Sequence, residues 1–257
     1  MITRRQILVG LLGGLLAPLR AWAQPLPPSN LRIIDMAIAV DNTGASTSIE
    51  SGATITLANF AVGSGADRLL IVGVSWHEWV AGTPTVSSIT FGGVGLTRLG
   101  GLVAGQKASD IWYLKNPANS TANIVVTLSA GGAEYVVVGA TSWTGVDQTT
   151  TFGTLATANG SSTAPSVNVS SAAGEVVHDN LSVNAAPTIT VGADQTQRWN
   201  QTTATSQQSG AGSSEAGAAT VTMSWTLSVS KAWAIAGVSI KAAAAGAPQR
   251  TLLGVGT

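Results

Sequence analysis

Apolar and polar residues alternate with a period of two along most of this chain, and that spacing predicts short β-strands. Thr54-Ile55-Thr56-Leu57-Ala58-Asn59-Phe60 alternates as a half-buried strand should. Arg68-Leu69-Leu70-Ile71-Val72-Gly73-Val74 is apolar on both faces and reads as a central strand. Val86–Phe91, Gly92-Gly93 and Val94–Thr97 read as a hairpin. Ile111–Leu114 stops at Lys115-Asn116-Pro117, and Ile124–Leu128 leads through Gly131-Gly132 to Tyr135–Trp143. Further strands are expected at Glu175–Val183, Thr220–Thr226 and Trp233–Ile240. No segment after the first 23 residues keeps the i, i+3, i+4, i+7 spacing of a capped helix. The expected fold is all-β, an antiparallel two-sheet sandwich of jelly-roll type.

An internal echo refines this picture. Ile124–Trp143 is a strand pair with a mid-strand glycine, Gly139, and Val221–Ile240 repeats the arrangement with Gly237. Two similar halves fit two Greek keys, although antiparallel hairpins resemble one another in any case. If the halves are related, the strands at Arg68 and Glu175 are counterparts. Asn159–Ala164 and Ser206–Gly217 are rich in small polar residues and read as mobile hairpin tips. The expected organisation is a leader over 1–23, one sandwich domain over 24–242 and a short tail over 243–257.

The first 23 residues carry a separate message. Arg4-Arg5-Gln6-Ile7-Leu8 precedes an apolar run that closes on Ala21-Trp22-Ala23. A charged start, an apolar stretch and a small-residue end make a cleavable signal peptide. The paired arginines resemble a twin-arginine export signal. The run from Ile7 to Leu19, about 13 residues that include Gly13, Gly14 and Pro18, falls short of the ~20 needed to cross a bilayer. Val9 departs from the Lys often found there, so general secretion stays open as the route. Either route predicts the periplasm, the cell surface or the medium, with no transmembrane segment after cleavage. A chain with no cysteine suits folding before export.

Charge narrows the partners. Removing Arg4, Arg5 and Arg20 leaves nine basic and twelve acidic residues, a net charge of −3. No basic stripe remains to bind nucleic acid. Charged residues make up 9% of the sequence, far below the ~25% of ordinary soluble domains.

Several segments together resemble a β-sandwich module that recurs in secreted and surface proteins of environmental bacteria. They are Arg68–Trp76, Val86–Gly93, Ile111–Pro117, Thr144–Thr150 and Trp233–Lys241, and the resemblance spans roughly Leu31 to Ala242. It implies a lectin-type or jelly-roll sandwich and brings no established catalytic residues. A fold likeness alone implies no function.

The chemistry is sparse. Seven tryptophans follow the leader, against two tyrosines and three phenylalanines. Trp76 shares a face with Leu70, Val72 and Val74, and Trp112, Trp143, Trp225 and Trp233 sit within strands as core. Trp79 and Trp199 have more polar neighbours and are the candidates for exposed stacking surfaces. Trp76-His77-Glu78-Trp79 lies where a central strand runs into a loop, a common place for binding residues. With Trp199 and Asn200 it forms the candidate ligand site.

His178-Asp179-Asn180 is a second polar cluster. Alternation puts His178, Asn180 and Ser182 on one face and Asp179 with Val177, Leu181 and Val183 on the other, where a carboxylate needs a partner. His77 and His178, with Glu78 or Asp179, are a candidate metal set without a metal-motif spacing. Asp147 reads as a turn residue, with calcium ligation as the alternative. No other cofactor is expected.

No nucleophile elbow, phosphate loop or cysteine nucleophile is present. Glu78, Asp110, Glu134 and Glu175 are the acids to consider for glycoside hydrolysis, and Tyr113, Tyr135 and His77 for lyase chemistry. The sequence therefore points first to a non-catalytic binder of extracellular polysaccharide or glycan. A surface or fibre subunit that self-associates through the strand at 33–40 is the second reading. A polysaccharide-cleaving enzyme on the same scaffold is the third.

Overall fold

The computed structural model describes residues 37–49, 52–77, 85–129 and 135–244, so the expected leader over 1–23 and nearly all of the expected tail over 243–257 lie outside it. The described residues form strands and connections, with no helix among them. None is therefore long and apolar enough to cross a membrane. The first half of the chain supplies β1 (Ala39–Ile49), β2 (Thr54–Val62), β3 (Leu69–His77), β4 (Val86–Phe91), β5 (Val94–Gly95), β6 (Thr97–Ala104), β7 (Lys107–Lys115), β8 (Ser120–Leu128) and β9 (Tyr135–Thr144). The second supplies β10 (Ala156–Ser162), β11 (Ser166–Ser170), β12 (Val176–Asn184), β13 (Ile189–Val191), β14 (Thr196–Thr202), β15 (Gln208–Ala216), β16 (Thr220–Leu227) and β17 (Lys231–Ile240).

All the pairings are antiparallel and build four sheets rather than two. The first half makes β1-β9-β3-β7-β6 and β2-β8-β4-β5; the second makes β10-β17-β12-β15-β14 and β11-β16-β13. Setting aside the two-residue β5, the strand order is the same in both halves, and it is a jelly-roll order. The expected sandwich architecture holds, but each half is a sandwich in its own right. β3 and β12 are the counterparts that the sequence pattern suggested.

The five-stranded sheets of the two halves face each other across a seam, with the smaller sheets outside. Three apolar clusters fill the three gaps. Ile55, Phe60, Val72, Val74, Ile89 and Val126 pack inside the first sandwich, and Val169, Leu181, Met223, Trp225 and Ile235 inside the second. Leu69, Ile71, Ile111, Trp143, Val238 and Ile240 fill one end of the seam. β3, β9, β12 and β17 are covered on both sides and are buried almost end to end, with long apolar runs in β3, β9 and β17 and buried polar residues in β12.

The middle of the seam is polar and glycine-rich. Ser75 Oγ donates to Leu181 O at 3.0 Å, and Ser109 Oγ donates to Asn180 O at 2.6 Å. Asn180 Nδ2 donates to Ser109 Oγ at 2.8 Å and Val74 O at 3.1 Å. A bulge interrupts β6 between Arg98 and Gly100 and β14 between Gln197 and Trp199, and it aligns the halves residue by residue. Gly73 then corresponds to Asn180, Trp76 to Val183, Arg98 to Gln197 and Asp110 to Ala211.

Two expectations need correction. Asn159–Ala164 and Ser206–Gly217 are not mobile tips: most of the first lies in β10 and its turn, and most of the second is β15, buried over most of its length. Small residues stand there because β15 is sandwiched between the facing sheet and its own core. Gly139 and Gly237, matched as equivalents, point to different places: Gly139 faces the seam, and Gly237 faces Val167 and Val169 inside the second sandwich. Of the proposed pairing segment 33–40, residues 33–36 lie outside the described part. Ala39 and Val40 pair with Thr144 and Trp143 of β9 on one side, and β1 stands at an edge of its sheet.

Candidate functional site

At the end of β3, two adjacent residues face opposite ways, as strand geometry requires. Trp76 points into the first sandwich with Leu70, Val72 and Val74, as read from the sequence, and is buried. Its indole lines a cavity of about 340 Å³, together with Thr85, Val86, Arg98, Val103 and Asp110. That volume is at the lower end of the range for small-molecule sites.

Arg98 and Asp110 give this cavity its polarity. Arg98 Nε donates to both oxygens of Asp110, at 2.8 and 3.1 Å. Asp110 Oδ2 also accepts the Trp112 indole N–H at 3.0 Å. The Arg98 side chain is 52% exposed and that of Asp110 only 3%. The hydrogen bond to Asp110 holds the guanidinium pKa above its ordinary value, so the arginine stays charged. The terminal Nη groups make no hydrogen bond with any described residue.

His77 points the other way. It stands between Lys107 of β7 and Tyr135 of β9, directly opposite both in register. Its ring stacks on Tyr135 with centroids 6.3 Å apart and planes 19° from parallel. His77 and Lys107 are buried, and Lys107 Nζ donates to Gln106 O at 3.2 Å. Tyr113 is not part of this row; it packs edge-on against Phe152.

Trp199 is not an exposed stacking surface. It is 3% exposed and lies in the seam against Gly73, Gly139 and Gly212. A Cβ at Gly139 would overlap the indole, so glycine is required there by close approach. Asn200 is exposed, and its Nδ2 donates to Ile189 O at 3.2 Å. Neither residue lines the Trp76 cavity. Glu78 and Trp79 lie outside the described residues. The six described tryptophans, Trp76, Trp112, Trp143, Trp199, Trp225 and Trp233, are all buried.

The second cluster has a different character. Asp179 lies inside the second sandwich, as alternation predicted, and has the partners its burial demands. Its Oδ1 accepts the Ser213 N–H at 2.7 Å and hydroxyl at 2.8 Å, and its Oδ2 accepts the Trp225 indole N–H at 2.6 Å. Burial pushes its pKa up to about 7, against the opposing pull of those bonds. His178 faces the seam edge-on to Trp143, with ring centroids 6.1 Å apart. Burial, reinforced by nearby Arg198, pushes its pKa down to about 3. Arg198 lies 5.5 Å from the Trp143 ring centre and donates through Nε to Ser214 Oγ at 2.8 Å.

The two histidines do not meet. Trp143, the neighbour of His178, pairs with Leu69 at the start of β3, while His77 ends that strand. Eight residues of strand separate those ends, roughly 26 Å. No group of three metal-ligating side chains occurs among the described residues. The Asp147 carboxylate is used in its own turn: Oδ1 accepts the N–H groups of Thr149 at 2.7 Å and Thr150 at 2.9 Å. These bonds hold its pKa below the ordinary value. Asp110 and Glu175 do not converge as an acid pair: Asp110 faces the first core, and Glu175 caps a turn before β12 through Ala172.

Sequence reasoning singled out Trp76 and Asp110 but missed Arg98. Arg98 sits opposite Trp112 and reaches Asp110 two residues along the same face of β7, beside a bulge whose one local signal is Gly100-Gly101. Comparison with protein-family models, curated proteins and solved structures finds no match to this chain.

Proposed function

We propose that this protein is an exported, non-catalytic glycan-binding module, and that it takes a sugar unit of an extracellular polysaccharide into the cavity between Trp76 and Arg98. The observation that carries this reading is the Trp76–Arg98–Asp110 arrangement. The buried Trp76 indole and the exposed Val103 line a cavity beside a guanidinium that a buried carboxylate holds through Nε. Sugar rings offer an apolar C–H face and a rim of polar groups, and such a pocket meets both. The pair also goes beyond what the fold requires. The same framework positions in the second half hold Gln197 and Ala211, and that half builds an equivalent sandwich without them. With the described tryptophans buried, recognition here uses a pocket for one unit rather than a flat aromatic platform.

Electrophoresis of residues 24–257 in native gels cast with a panel of neutral and acidic polysaccharides tests the reading. Retardation by a subset of the polymers is expected. Val103 is 48% exposed and lines the cavity, so V103W should crowd the site and abolish retardation without lowering the melting temperature. Failure of every polymer to retard the folded protein would remove the proposal.

One observation favours a second reading, polysaccharide cleavage. Tyr135 and His77 are stacked beside Lys107, which places candidate proton-transfer groups in one row. Incubation with a retarding polymer separates the readings: shortened chains that disappear in Y135F favour an enzyme, and unchanged chain length favours the binder.

A further inference from the structure

We propose that the unit taken by the Arg98 cavity is an acidic sugar, a uronate whose carboxylate is held end-on by the two Nη groups of Arg98. This rests on the glycan-binding reading and specifies its ligand class. Among the described residues, one edge of the guanidinium is engaged. Asp110 occupies Nε with both oxygens, leaving the Nη1–Nη2 edge without a partner among the described residues. That edge presents two parallel N–H donors, the spacing that a carboxylate matches.

The placement of the counter-charge supports the same ligand. Asp110 is turned inward, 3% exposed, and further engaged by the Trp112 indole N–H, whereas Arg98 is half exposed. The mouth therefore presents the cation and hides the anion. Asp110 acts as a positioning residue: it fixes the plane of the guanidinium before the ligand arrives, which lowers the ordering cost of binding.

The whole-chain charge argues against diffuse attraction. With net charge −3 after the leader, the protein has no general affinity for polyanions, so capture of an acidic polymer must come from a directed contact. A carboxylate on a ring that lies against Val103 meets the apolar lining and Arg98 at once. A neutral hexose lacks the bidentate acceptor, and a uronate methyl ester loses the charge and one strong acceptor.

The test uses polygalacturonate and alginate, each compared with its fully methyl-esterified form, and dextran as a neutral control, in affinity gels and by calorimetry. At least one acidic polymer should retard the protein, and esterification of that polymer should remove the retardation. R98K keeps the charge but loses the fork, and should weaken binding about tenfold or more. D110N should weaken it too, by freeing the guanidinium. The ester comparison uses the unaltered protein, so it does not depend on how the variants fold. Equal retardation by acid and ester forms, or binding of dextran alone, would overturn the acidic-sugar assignment and leave the glycan-binding reading standing. Retardation by neither acidic polymer likewise overturns it, and retardation by none of the five polymers counts against both.

Discussion

His178 and Asp179 are neighbours in sequence, point to opposite faces of β12, and are perturbed in opposite senses. The neutral imidazole is held in the folded state from its ordinary 6.5 down to about 3. The unfolded chain binds more protons in that window, so this residue makes stability fall as pH drops from 6.5 toward 3. Asp179 is the reverse. Its carboxyl is raised from 3.8 to about 7, so it makes stability fall as pH rises across that interval. Between about pH 4 and 6.5 the two slopes, each about 1.4 kcal/mol per pH unit, cancel. Thermal melts should show it: H178Q loses stability with rising pH in this window, D179N gains it, and the parent changes less than either. Parallel profiles for all three would remove the argument. Alternation made this pair legible, because it separates the faces of a strand. It did not make Trp199 legible. Its neighbours Arg198 and Asn200 are polar, but the bulge turns the indole into space left open by glycines on three other strands.

At the scale of elements, β3, β7, β9, β12, β16 and β17 were readable because branched and aromatic residues fill them. β15 was not. Its sequence, Gln-Ser-Gly-Ala-Gly-Ser-Ser-Glu-Ala, has the composition of a loop, yet it pairs with β12 over its whole length and with β14 over most of it. Tertiary packing overrides propensity there, since Gly210 and Gly212 let Ser75 and Trp199 approach the backbone. Amide hydrogen exchange over 208–216 should accordingly be as slow as over 176–184. Exchange at the rate of an open loop would contradict the pairing.

The two sandwiches meet in a way that no local pattern could disclose. β7 meets β12 while its counterpart β15 meets β3; β9 meets β15 while β17 meets β7; β6 meets β17 while β14 meets β9. Reciprocity of this kind defines an isologous, two-fold interface, here formed within one chain. Ser75, Ser109 and Asn180 knit it, and a shared apolar cluster fills one end. Calorimetry of the whole protein should therefore give one transition whose van't Hoff and calorimetric enthalpies agree; two resolved transitions would mean that the seam is not cooperative. The fusion also bears on valency. A true homodimer repeats every pocket, and two pockets can bridge two polymer strands into a network. Here symmetry governs the scaffold but not the site, for Arg98 and Asp110 have only Gln197 and Ala211 opposite them. If the proposed glycan-binding reading holds, a molecule with one such pocket would hold a polysaccharide at a single point and decorate a matrix without cross-linking it.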